Sequence, residues 1–162
     1  MESAKEEVHT KIKVMFLPFA STSHIIPMID IARLFAMHGV NVTIVAASLF
    51  QSSIGRDSSL GRSIRTHIVK FPAAEVGLSV SVETFNANTA PDMFSKIAKG
   101  LNQLEKEIEK LFEELEADCI VTDMFYPRIV DAAARLGIPR LMLLVGSCFA
   151  HSAHHSVTKL RI

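Results

Sequence analysis

Neither sign of charge is in excess: lysine plus arginine and aspartate plus glutamate both total 17 among 162 residues. No overall field therefore draws the chain to nucleic acid or to an anionic membrane, and the expected partner is a small molecule. Tryptophan is absent, and cysteine is limited to Cys119 and Cys148. Both thiols lie in apolar runs without metal-ligand spacing, which fits reduced thiols in a cytoplasmic protein better than a disulfide framework. Glycine is missing between Val14 and His38. The first turn thus lacks the G-x-G-x-x-G that lets a backbone approach a pyrophosphate, and no G-K-[ST] loop occurs anywhere, which argues against a dinucleotide or P-loop enzyme. Gly146-Ser147-Cys148 lacks the second glycine of a nucleophile elbow, so an α/β-hydrolase reading is weak. Long apolar runs are lacking too: Ile138 to Ala150 is short and broken by Arg140, and Met1 to Val8 is charged rather than signal-like. Neither export nor stable membrane insertion is expected, and the sequon Asn41-Val42-Thr43 reads as accidental.

What is present is apolar and regularly spaced. An apolar fraction of 49% is ample for one packed domain. That domain is placed at residues 11–162, behind a flexible tail at 1–10. Lys11 to Leu17, stopped by Pro18, reads as a first strand buried on both faces. Ile25, Met28, Ile29, Ala32, Phe35 and Ala36 recur at helical spacing after a polar link from Ala20 to His24. Pro27 is expected in the first turn of this helix and Gly39 at its stop. Val42 to Ala46 and Thr66 to Phe71 give two more strands. Pro72 to Pro91 has no period and reads as a surface excursion. Phe94, Ile97, Leu101, Leu104, Ile108, Leu111 and Leu115 then step by three and four, the stripe of a long amphipathic helix. Cys119 to Thr122 is a fourth strand ending at Asp123. Ile129 to Leu136 is a helix closed by Gly137, Arg140 to Val145 a fifth strand, and Ser147 to Leu160 a last helix.

Alternating strands and helices with right-handed crossovers predict an α/β fold with a doubly wound parallel sheet. Ligands of such sheets bind beyond the carboxyl ends of the strands, where strand order reverses. With the usual order, strands one and four meet there. The first is followed by Pro18-Phe-Ala-Ser-Thr-Ser-His24 and the fourth ends in Thr122-Asp123. Histidine suits proton abstraction near neutral pH, and a carboxylate on its other ring nitrogen fixes the tautomer and stabilises the imidazolium as it forms. His24 and Asp123 are the candidate base and orienter. The competing reading makes His24 a polar loop residue and Asp123 a strand-end punctuation.

Several segments resemble a known family. Pro18 to Pro27, Ile31-Ala-Arg-Leu-Phe-Ala-Met-His-Gly39, Val42-Thr-Ile-Val45, Ile120-Val-Thr-Asp123-Met-Phe and Ala132-Ala-Ala-Arg-Leu-Gly-Ile-Pro139 are similar to plant family 1 UDP-glycosyltransferases. Arg62 to Val82 looks most like legume enzymes that glycosylate triterpenoid saponins of the soyasapogenol type. The resemblance implies the Rossmann-like N-terminal, acceptor-binding domain of a GT-B glycosyltransferase, truncated. The reaction implied is metal-independent and cofactor-free, an inverting transfer from a UDP-sugar to a hydroxyl of a small lipophilic acceptor. By this resemblance His24 is the catalytic base and Asp123 its partner, and Phe19, Phe125 and Phe149 line the acceptor cleft. Ser23 and Ala46-Ala-Ser-Leu49 depart from the family's usual glycine and Thr-Pro-Ala-Asn. The C-terminal donor signature, which carries tryptophan, does not occur here, so the chain alone is expected to be inactive, with the UDP-sugar's main site in a C-terminal domain absent from these residues.

Other features have plainer readings. The Phe94 to Leu115 stripe suits packing on the chain's own sheet better than a dimerising coiled coil. His151, His154 and His155 share a helical spacing, yet no fourth ligand is suggested and no metal is expected. Arg56, Arg62 and Arg65 read as a solvated connection. The alternative to a transferase is a non-catalytic small-ligand-binding α/β module.

Overall fold

The computed structural model of the protein describes residues 11–19, 21–48, 64–78, 91–126 and 128–159. The expected tail at 1–10, Arg56 and Arg62, and positions 79–90 of the expected excursion lie outside the described residues. The elements run β1 (Lys13–Leu17), α1 (Thr22–Met37), β2 (Asn41–Ala47), β3 (Ile64–Val69), α2 (Pro91–Glu114), β4 (Cys119–Asp123), α3 (Ile129–Arg135), β5 (Arg140–Leu143) and α4 (Cys148–Lys159). Each strand and helix anticipated from the sequence is found, with ends moved by a few residues.

The five strands form one sheet in the order β3-β2-β1-β4-β5. Every neighbouring pair is parallel. The chain steps outward from β1 to β3, then returns to place β4 on the other side of β1, so strand order reverses between β1 and β4. Right-handed crossovers then put α1 on one face and α2 with α3 on the other. Leu17 pairs with Thr122, so Pro18 and Asp123 follow side by side at the same level.

The central strands hold the core because both their faces are covered: Val14 to Leu17 on β1 and Ile120 and Val121 on β4 are all buried. Ile25, Met28, Ile29 and Ala32 of α1 and Ile97, Leu101, Leu104, Ile108 and Leu111 of α2 are buried with them. Strand β5 is an edge, with Leu141 51% and Met142 50% exposed. Among the described residues no helix is long and apolar enough to cross a membrane.

Helix α1 ends as its glycine foretold. Gly39 takes φ +83°, and the amides of Gly39 and Val40 return to the carbonyls of Ala36 and Phe35 at 3.0 and 3.2 Å. This double return closes the last turn, and glycine bears the left-handed backbone without a Cβ penalty. Helix α2 closes by the same geometry without a glycine. Glu116 takes φ +48° there, and the amide of Ala117 reaches the Phe112 carbonyl at 3.3 Å.

Three expectations need correction. Helix α1 begins at Thr22, so His24 lies inside its first turn rather than in the preceding loop, and Pro27 falls in the second turn. The Ser21 carbonyl sets this start by accepting the amides of His24 and Ile25 at 2.9 and 2.8 Å. The beginning of the expected surface excursion belongs to the core: Ala73, Val76 and Leu78 are buried, folded back by a Leu78 amide bond to the Ala73 carbonyl at 2.8 Å. Phe94 is 43% exposed, unlike the rest of its stripe.

Candidate active site

The reversal of strand order brings together two residues 99 apart in sequence. His24 is carried by the first turn of α1, and Asp123 is the last residue of β4. His24 Nδ1 lies 2.7 Å from Asp123 Oδ2. The Asp123 side chain is 0% exposed and that of His24 is 16% exposed, so water does not replace either partner of this bond. The second carboxylate oxygen, Oδ1, accepts the Phe125 backbone amide at 3.2 Å. A carboxylate accepts but does not donate, so Nδ1 carries a proton, and in the neutral imidazole Nε2 is the nitrogen with the free lone pair.

Aromatic rings border the imidazole. Phe19 and Phe125 each sit with ring centroids 5.5 Å from His24 and 4.6 Å from each other. Phe94, at the start of α2, joins them at 6.0 Å from Phe19 and 6.3 Å from Phe125. Phe19 is buried, whereas Phe125 is 41% exposed, so the cluster presents apolar surface beside the histidine.

No family model matches the chain. It is 55% identical over 161 residues to the soyasapogenol B glucuronide galactosyltransferase of Glycine max, a match covering 97% of this chain and 32% of that protein. It is 41% identical over 155 residues to the solanidine UDP-glucose glucosyltransferase 1 of Solanum tuberosum, covering 93% of this chain and 32% of that one. Its homologues are plant UDP-glycosyltransferases. Among solved structures it is similar to Glycyrrhiza uralensis UGT73P12 complexed with glycyrrhetinic acid 3-O-monoglucuronide, with TM-score 0.80 and 49% identity over 93% of this chain and 31% of that one. A further likeness, to Arabidopsis thaliana UGT89C1 complexed with UDP, has TM-score 0.75 at 20% identity and shows the fold alone. The chain spans about a third of the length of the curated UDP-glycosyltransferases it matches.

Of the residues singled out from the sequence, four converge in this glycosyltransferase homologue: His24, Asp123, Phe19 and Phe125. Phe149 does not join them. It is 83% exposed on α4, and no ring contact links it to the cluster among the described residues. Two neighbours of the site escape sequence reasoning. Helical spacing places Phe94 in the core stripe, because a period identifies a face but not where along the helix the sheet ends. Tyr126 gives no signal at all, yet it is buried and its hydroxyl donates to the Pro18 carbonyl at 3.2 Å. Burial pushes the Tyr126 phenol above its ordinary value, with the negative charge of Asp123 adding to the effect, so the phenol stays a neutral donor.

Nearby polar groups are satisfied by structure rather than ligand. Thr122, fully buried, accepts the Arg140 Nε–H at 2.7 Å, and burial lowers the pKa of that guanidinium. Grooves of about 350 and 520 Å³ lie between α2 and α3, lined by residues including Lys106, Glu109 and Arg135 and by neither His24 nor Asp123. His154 and His155 are exposed on α4, and among the described residues no cluster of three His, Cys, Asp or Glu side chains could hold a metal.

Proposed function

We propose that the protein supplies the acceptor-binding, proton-abstracting part of a UDP-sugar-dependent glycosyltransferase acting on a hydroxyl of a lipophilic plant metabolite of the triterpenoid class. The observation that carries this reading is the 2.7 Å contact between His24 Nδ1 and the buried Asp123 carboxylate, set at the reversal of strand order. In this reading the acceptor hydroxyl gives its proton to His24 Nε2. Its oxygen attacks the anomeric carbon from the face opposite UDP, the glycosidic bond forms as the carbon–phosphate-oxygen bond breaks, and UDP leaves with the electron pair. Inversion follows from the single displacement. Asp123 stabilises the imidazolium as it forms.

Phe19, Phe125 and Phe94 form the wall against which a polycyclic acceptor rests. The triterpenoid class draws support from two similar proteins, one named for soyasapogenol B glucuronide and one complexed with glycyrrhetinic acid 3-O-monoglucuronide. In this reading no metal or other cofactor takes part: His24 takes the proton and UDP carries away the electron pair. The two free cysteines suit a cytosolic site of action. The 162 residues alone carry no donor signature and are expected to transfer no sugar by themselves.

His24→Ala in the full-length protein tests the base. Transfer to triterpenoid acceptors should be abolished with the fold and acceptor binding retained. Turnover that survives the substitution overturns the assignment.

A further inference from the structure

We infer that Tyr126 is a positioning residue that sets the His24–Asp123 pair by bolting together the two segments that carry it; the inference rests on the proposed role of that pair. The ladder between β1 and β4 ends at the Leu17–Thr122 pair, so no rung between these two strands holds Pro18 in register with the segment that follows Asp123. The Tyr126 hydroxyl spans this gap, donating to the Pro18 carbonyl at 3.2 Å across 108 residues of sequence. Both ends of the bolt are buried, with Tyr126 4% exposed. Pro18 lacks an amide proton, so its carbonyl is the one backbone group it can offer.

The bolt reaches the chemistry by two short paths. On one side Pro18 precedes Phe19, whose ring lies against His24, and Ser21, whose carbonyl starts the helix turn bearing His24. On the other side Tyr126 follows Phe125, whose amide holds Asp123 Oδ1 at 3.2 Å. Loss of the hydroxyl frees the two loops to shift relative to each other, which lengthens a 2.7 Å contact that tolerates little movement. A misplacement of that order costs rate rather than substrate affinity.

The test uses Tyr126→Phe, with p-aminophenylalanine at the same position as a donor-retaining rescue and p-fluorophenylalanine as a donor-free control of similar shape. In the full-length protein, kcat for triterpenoid acceptors should fall about 10- to 100-fold in the Phe and fluoro variants with KM within about twofold, and the amino variant should recover it. In the present chain, the downfield proton resonance of His24 Nδ1–H should weaken or disappear in the same two variants and return in the third. If Tyr126→Phe fails to fold, the amino and fluoro pair carries the comparison. An unchanged His24 resonance and kcat in a folded donor-free variant overturns the inference, as does a loss of stability alone. A full-length protein that transfers no sugar would sink the proposed function, while the ring resonance would still decide whether Tyr126 holds the pair.

Discussion

Replacing Asp123 by asparagine changes one oxygen to a nitrogen in a fully buried position, where the surrounding bonds leave the new group little choice. The carboxylate accepts from two donors, the Phe125 amide at 3.2 Å and His24 Nδ1 at 2.7 Å. A carboxamide offers only one accepting oxygen. If that oxygen stays with the Phe125 amide, the NH2 group faces Nδ1 and forces the ring proton onto Nε2, the atom that must accept from the substrate. If the amide flips, its NH2 confronts the Phe125 N–H and one donor is stranded at a cost of about 1–3 kcal/mol. In the first orientation the imidazolium loses a charge-assisted bond of about 1.5–3 kcal/mol, which at 1.36 kcal/mol per tenfold is about 10- to 150-fold in rate; in the second it keeps a bond to the amide oxygen but loses the carboxylate's charge. With the wrong tautomer added, the expected loss in kcat is about 10²- to 10⁴-fold. The assay is initial-rate transfer to a triterpenoid glucuronide in the full-length protein, with circular dichroism to establish folding. A folded Asp123→Asn variant within about threefold of the parent would refute the reasoning.

Three further outcomes arise from the packing. A Cβ at Gly100 would run into the Phe71 ring, so Gly100→Ala should destabilise despite alanine's helix preference, by about 1–2 kcal/mol in chemical denaturation; a gain in stability would contradict the contact. Burial raises the Glu105 pKa above its ordinary 4.5, with Arg128 opposing and Glu109 reinforcing. The folded state therefore holds that proton more tightly than the unfolded one, so the stability of the parent relative to Glu105→Gln should fall as pH rises from about 4.5 through the raised pKa. A difference that is flat with pH, or of opposite slope, would contradict it. Burial also raises the Cys119 thiol, whereas Cys148 is exposed, so iodoacetamide at pH near 8 should label Cys148 about tenfold or more faster; equal rates in the native chain would show the burial wrong.

The sequence revealed this fold where side-chain chemistry and backbone geometry coincide. The short apolar run of β1, stopped by Pro18, reads as a strand covered on both faces, and Gly39 and Gly137 mark helix ends because they take φ +83° and +67°. The end of α2 was marked only by the loss of its apolar period, because Glu116 holds the same left-handed conformation without glycine. His24 and Asp123 were recognisable because parallel alternation puts the ends of β1 and β4 side by side. Their surroundings were less so. Phe94 matched a core stripe perfectly by period, yet the period cannot tell that this turn of α2 projects past the buried sheet. Tyr126 acts through a hydroxyl that meets a carbonyl 108 residues away, a pairing with no local signature.

The central claim is that His24 Nε2, freed by Asp123 on the opposite nitrogen, receives the acceptor's proton. A crystal structure of the full-length protein with a triterpenoid acceptor measures it most directly. The reacting hydroxyl oxygen should lie within about 3.2 Å of His24 Nε2, with its rings against Phe19, Phe94 and Phe125. An acceptor bound with that hydroxyl turned away from His24, beyond the reach of a hydrogen bond or one bridging water, would contradict it.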